Sequence, residues 1–123
     1  MGTSPEEFHA YRQKMNERIL SVDNLDIKRF FNLDSAVYRA GALDEKTKEL
    51  LGLVASTVLP CNDCIAYHII QCVKTGATDE ELYESLSIAL VVGGSIVIPH
   101  LRYAVEMLDQ ARGAMSENPG GDD

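Results

Sequence analysis

Apolar residues recur at helical spacing along most of the chain, and helix start and stop signals divide the pattern into six segments. Ser4-Pro5-Glu6-Glu7 combines an N-cap, a proline suited to the first helical position and a capping-box glutamate. A helix is therefore expected from Pro5 to about Leu20, with Phe8, Tyr11, Met15 and Ile19 on one face. A second is expected over residues 25–40, ended by Gly41. Asp44 can cap a third from Glu45 to Val58, which Pro60 stops. The fourth should cover residues 61–75 and close at Gly76. Thr78-Asp79-Glu80-Glu81 is another capping box, opening a fifth helix that reaches Gly93-Gly94. The sixth should run over residues 96–112, where Pro99 is tolerable only in the first turn. No strand alternation persists and no internal repeat is evident. The pattern predicts an all-α, single-domain helical bundle of about six helices over residues 1–115, with 116–123 read as a mobile tail.

One stretch is apolar on every side. From Ile88 to Ile98 only the two glycines and Ser95 interrupt it, and its eleven residues are too few to cross a bilayer as a helix. It reads as a buried helix end and turn. A small domain has little room for such a segment, so part of it is expected to meet another subunit.

Composition narrows the function classes. The 123 residues are 46% apolar, enough for a real core in one domain. A net charge of −8 is opposed to nucleic acid, whose binding needs clustered Lys and Arg, and to an anionic membrane surface. The polar, charged opening residues do not resemble a secretory signal, so a cytoplasmic location is expected. Three cysteines, an odd number, speak against a structural disulfide framework. Cys61 and Cys64 form a close pair suited to redox work or metal binding, whereas Cys72 reads as a small core hydrophobe. There is no G-x-G-x-x-G and no Cys-x-x-Cys-His, so no nicotinamide, flavin or haem cofactor is expected.

Helical spacing makes Cys61, Cys64 and His68 neighbours. At about 100° per residue they fall within roughly 60° of one another, at the boundary between a buried and a wet face. A reactive thiol needs such a place, because the thiolate is the nucleophile and must be both tuned and reachable. The positive end of the fourth helix favours a thiolate there, and His68, one turn beyond Cys64, can take its proton. Two sulfurs at i and i+3 can then close a disulfide. Asp63 opposes the thiolate but points away from the stripe. Three ligands on one helical stripe are awkward for a tetrahedral zinc site, though a metal-binding or redox-sensing module remains the non-catalytic alternative. Periodicity places Glu49 on a polar arc with Glu45 and Lys46, as a solvated residue. His100 could approach the dithiol from another element or be a partly buried histidine with a local partner. His9 reads as exposed, and Tyr67 and Tyr103 as packing residues.

Glu49 to Ser56, then Cys61-Asn62-Asp63-Cys64-Ile65-Ala66-Tyr67-His68, then Gly76 to Glu81 resemble the alkyl hydroperoxidase D and carboxymuconolactone decarboxylase superfamily. A glutamate twelve residues before the first cysteine, the Cys-x-x-Cys and a histidine four residues beyond it match the alkyl hydroperoxidase D motif. Similarity extends over residues 43–110. The resemblance implies a helical fold, commonly assembled as homo-oligomeric trimers or hexamers. It also implies a thiol-dependent oxidoreductase that reduces peroxides or disulfides, fed by a lipoyl-type dithiol donor or serving a peroxiredoxin. In that scheme Cys64 attacks the oxidant, Cys61 closes the disulfide, and His68 with Glu49 relays the proton. Only this resemblance promotes Glu49. Spacing alone leaves the order of the two cysteines open, since Cys61 is nearer the positive helix end. The other branch of the superfamily implies decarboxylation of a small lactone acid, a chemistry with no need of two thiols.

Overall fold

The computed structural model describes residues 4–117. Among these residues there are six α-helices and no strand: α1 (Pro5–Leu20), α2 (Leu25–Val37), α3 (Glu45–Val58), α4 (Asn62–Lys74), α5 (Asp79–Gly93) and α6 (Ile98–Glu117). A short 3-10 turn, Ser95–Val97, precedes α6. The caps read from the sequence form as hydrogen bonds. Ser4 and Thr78 make full capping boxes with Glu7 and Glu81, and Asp44 accepts the Thr47 N–H.

The centre of the molecule is a packed group of α3, α4, α5 and α6, with α1 laid across α4 and α6. Leu53, Ile65, Ile69, Leu82, Leu86 and Met107 are among its fully buried side chains. Each contributes about 1.5–3 kcal/mol relative to exposure, so this group holds α4 rigidly between α3 and α6. Two polar ties fasten the start of α5. Lys46 of α3 pairs with Glu81 at 2.9 Å, and Arg112 of α6 donates to Asp79 and to the Ala77 carbonyl.

Several boundaries differ from expectation, for physical reasons. α2 stops at Val37 rather than residue 40: the Arg39 N–H closes a tighter turn onto the Ala36 carbonyl, and Lys48 Nζ donates to the Val37 and Arg39 oxygens at 2.8 Å each. Cys61 is not the first residue of α4 but its N-cap, in extended conformation. α6 begins at Ile98, two residues after the expected start, since Pro99 has no N–H to donate and fits only the opening turn. It then continues through Glu117, into the segment expected to be a tail; the rest of that tail lies outside the described residues. On α1 only Phe8 of the expected face is buried, and Tyr11 is 64% exposed.

The fold leaves much apolar surface uncovered. α2 buries none of its residues, and Phe30, Leu33 and Val37 stand exposed along it. At the end of α5, Ile88, Val91 and Val92 are exposed, as is Ile96 in the turn after it. No helix among the described residues is long and apolar enough to cross a membrane.

Candidate active site

Pro60 ends the α3 trajectory and forces a turn, and Cys61 then opens α4. Its N–H donates to the Ser56 carbonyl at 2.9 Å, while its sulfur accepts the Cys64 N–H at 3.2 Å. The first free N–H groups of a helix carry partial positive charge, so this sulfur occupies the anion-favouring position of α4. Cys61 and Cys64 are joined as a disulfide across a Cα–Cα separation of 5.2 Å. Both are half-buried, with Asn62 and Asp63 exposed between them.

His68 lies on the inner side of α4, 7% exposed. Its Nδ1 is 2.8 Å from Glu49 Oε1, and Glu49 is itself only 6% exposed. The solvated position that periodicity assigns to Glu49 is therefore corrected. α3 buries Glu49, Gly52, Leu53, Ser56 and Thr57, a stripe at i, i+3, i+4, i+7 and i+8, while Leu51 points outward. The carboxylate is desolvated but has a partner, and that partner offsets the cost of burial.

The other ring nitrogen, His68 Nε2, faces the hydroxyl of Tyr38 at 3.4 Å, the long end of hydrogen bonding. Tyr67 meets the imidazole edge-on with ring centroids 5.2 Å apart. Tyr67 is fixed in turn by Gln71, which donates to its hydroxyl, and by the Arg12 guanidinium 4.4 Å above its ring. Among the described residues His68 makes no direct hydrogen bond to either sulfur. The glutamate and histidine thus form one unit and the disulfide another, one helical turn apart on α4.

Gly52 is the third contribution of α3. A Cβ at this position would lie 2.6 Å from His68 Cε1, 2.8 Å from Nε2 and 2.8 Å from the Tyr38 hydroxyl. Only a residue without a side chain lets the imidazole and phenol meet here. Sequence reasoning passed over Tyr38, Lys48 and Gly52. A glycine inside an otherwise apolar helical segment was the one available signal.

His100, in the first turn of α6, reaches across to the dithiol loop. Its Nδ1 is 2.8 Å from Asn62 Oδ1, so its partner is the residue next to Cys61 rather than a local one. Cys72 is fully buried and free; burial first, and then the charge of Glu49, pushes its thiol up to about 12. His9 is exposed, and burial together with Lys74 and Arg12 lowers its basicity. Among the described residues no three His, Cys, Asp or Glu side chains converge as a metal-ligand set.

Residues 27–108 match the carboxymuconolactone decarboxylase family. The chain is 32% identical over 85 residues to protein 4 of the cox locus of Paracoccus denitrificans, an uncharacterized protein, covering 69% of this chain and 77% of that one. A crystal structure of a Thermotoga maritima protein superposes with a TM-score of 0.88 at 62% identity, covering 91% of this chain and 98% of that chain. A second Thermotoga maritima structure gives a TM-score of 0.85 at 63% identity over 90% of this chain and 93% of that one. It is a carboxymuconolactone decarboxylase family protein for which involvement in an antioxidative response has been suggested. A family member from Legionella pneumophila superposes with a TM-score of 0.72 at 29% identity, over 86% of this chain and 91% of that one.

Proposed function

Because the chain belongs to the carboxymuconolactone decarboxylase family, we propose that it acts there as a dithiol oxidoreductase, reducing peroxides or disulfides through Cys61 and Cys64. One observation carries this reading: a cysteine pair close enough to be joined, at a helix N-terminus, one turn from a buried Glu49–His68 pair. The antioxidative role suggested for the Thermotoga maritima relative points the same way.

In the proposed cycle the Cys64 thiolate attacks a peroxide oxygen. The S–O bond forms, the O–O bond breaks, and the alkoxide leaves as an alcohol after taking a proton. Cys61 then attacks the Cys64 sulfur of the sulfenic acid; the S–S bond forms and hydroxide leaves as water. The dithiol loses two electrons and the peroxide gains two. A lipoyl-type dithiol donor returns two electrons and two protons. With a peroxiredoxin disulfide as the alternative oxidant, Cys64 attacks one of its sulfurs, one peroxiredoxin thiolate leaves, and Cys61 then displaces the other. His68 receives the thiol proton, and Glu49 stabilises the imidazolium that results. Cys61, whose sulfur accepts a helix N–H, is the better leaving thiolate when the donor reduces the disulfide.

Assembly of several copies, as trimers or hexamers, belongs to the same proposal, and the large apolar side chains exposed along α2 and at the end of α5 support it. Decarboxylation of a small lactone acid, the chemistry in the family's name, is the second reading. That chemistry has no need of two thiols, so the joined Cys61–Cys64 pair favours the dithiol reading over it.

Turnover of an alkyl hydroperoxide with a dihydrolipoyl donor tests the proposal. Wild type is expected to consume both, and Cys61→Ser and Cys64→Ser to consume neither catalytically. Full activity in Cys64→Ser on the physiological substrate would sink the dithiol reading and favour the decarboxylase.

A further inference from the structure

Tyr38 closes α2 and brings its hydroxyl to 3.4 Å from His68 Nε2. Glu49 holds the other ring nitrogen at 2.8 Å. A carboxylate on Nδ1 keeps the neutral ring's proton there, so Nε2 is the atom left to receive another. A phenol meets a bare lone pair only as a donor. Burial, and then the charges of Glu49 and Asp34, raise the Tyr38 hydroxyl above the usual phenol range, which keeps it protonated and able to donate.

Two independent features serve this contact. Gly52 leaves an empty space where a Cβ would strike both the imidazole and the phenol oxygen. Lys48, four residues before Gly52 on α3, grips the Val37 and Arg39 carbonyls that flank Tyr38. α2 buries no residue of its own, and this ammonium and the phenol tie its C-terminal end to α3 and α4.

We propose that Tyr38 is a positioning residue for the dithiol reaction, holding His68 in the orientation in which Nε2 accepts the thiol proton. A hydroxyl both donates and accepts. Before proton transfer it donates to the single lone pair of Nε2; it turns aside as the thiol proton arrives there, and then accepts from the new Nε2–H. The same contact therefore serves both protonation states, and its length means that little is lost at the moment of exchange. A phenylalanine would fill the same space and do neither. The inference rests on the dithiol reading for its effect on rate, but not for its effect on the ring.

Tyr38→Phe in the full chain, reduced, tests both parts. Nitrogen NMR of wild type should show neutral His68 protonated at Nδ1 with Nε2 hydrogen-bonded, and the variant should keep that tautomer while its Nε2 resonance moves downfield as the lone pair loses its donor. Peroxide turnover with a dihydrolipoyl donor should lose about tenfold in kcat, with KM for the donor within about twofold, as expected for a group acting through the base. Lys48→Met keeps the phenol but frees its backbone, and should move both readouts in the same direction by less. If Tyr38→Phe does not fold, Lys48→Met decides by the same readouts. An unchanged Nε2 resonance in the variant, or an unchanged kcat when the wild-type enzyme does turn over, overturns the proposal. A wild type without turnover defeats the dithiol reading instead, and the Nε2 measurement then decides the role of Tyr38 alone.

Discussion

Glu49 Oε1 stands 2.8 Å from His68 Nδ1, and both side chains are less than one-tenth exposed. A pair so dry is worth keeping only if each group satisfies the other, and if the carboxylate's charge is wanted when the ring gains a proton. Glu49→Gln retains an oxygen acceptor of the same shape and removes the charge. Turnover should fall about 10²-fold, a typical share for an acid–base group, while the fold persists. Glu49→Ala should additionally cost about 1–3 kcal/mol, because a buried ring nitrogen loses its partner. Peroxide-dependent kcat and thermal melts of the two variants separate charge from packing.

That pair also marks where the sequence stopped being readable. The third helix was legible from end to end, because Asp44 caps it and Pro60 bars its continuation. Its orientation was not. Leu50, Leu51 and Val54 look like the inward side, yet Leu51 is exposed and the other two only partly buried, while the stripe turned fully to the core carries Glu49 and Ser56. Periodicity within one helix cannot see a partner on another, and His68 lies nineteen residues away. The family resemblance found Glu49, because a motif records the pairing that a helical wheel omits. Tyr38 lies outside both kinds of signal, since it reaches the site only through the position of a helix that buries nothing.

Gly52→Ala brings two opposed effects into one methyl group. Alanine is favoured over glycine within a helix by about 1 kcal/mol. Against that, the added carbon would sit 2.6 Å from the His68 ring and 2.8 Å from the Tyr38 hydroxyl. Overpacking of this kind costs about 1–3 kcal/mol, so the steric penalty should exceed the propensity gain. The melting temperature should drop, and turnover should drop further than stability does, since the displaced groups are those around the base. A stabilised variant with full activity would contradict the cradle.

The three thiols should behave as different species. With its thiol pushed up to about 12, Cys72 is ionised to about one part in 10⁴ at pH 8, and it is fully buried besides. Alkylation of the reduced native protein should label Cys61 and Cys64 only, with Cys72 appearing after denaturation. When a monothiol reduces the oxidised protein, the intermediate mixed disulfide should map to Cys64 by mass spectrometry, because Cys61 departs as the N–H-stabilised thiolate. Adducts on Cys61 would reverse the assigned order.

Acid should weaken the tie between α3 and α5. The Glu81 carboxyl is held below its ordinary value near 4.5, first by the Thr78 N–H and then by Lys46. A carboxyl lowered in the folded state contributes stability above its unfolded value and loses it as pH falls through the folded one. Glu81→Gln can still close the capping box, so the comparison isolates the charge. The melting-temperature gap between wild type and variant should be full above pH 4.5 and shrink below it. A gap independent of pH would mean that the charge contributes nothing.

The exposed apolar surface predicts what a single copy lacks. Val91 is 84% exposed and Ile96 72%, next to a glycine turn, while α2 presents Phe30 at 66% without burying any residue. Water-facing side chains of this size, gathered at two places in a chain of net charge −8, are costly to a monomer and useful to an interface. If copies associate through them, Val91→Asp and Phe30→Asp should each shift the sedimentation mass toward that of one chain, with the helical signal retained. The two should differ in what else they change. α2 carries Tyr38 onto His68, so uncovering α2 through Phe30→Asp should also lower peroxide turnover, whereas Val91→Asp is remote from that contact and should act on mass first. A wild-type protein that sediments as one chain at all concentrations would leave these faces without an occupant and defeat the assembly.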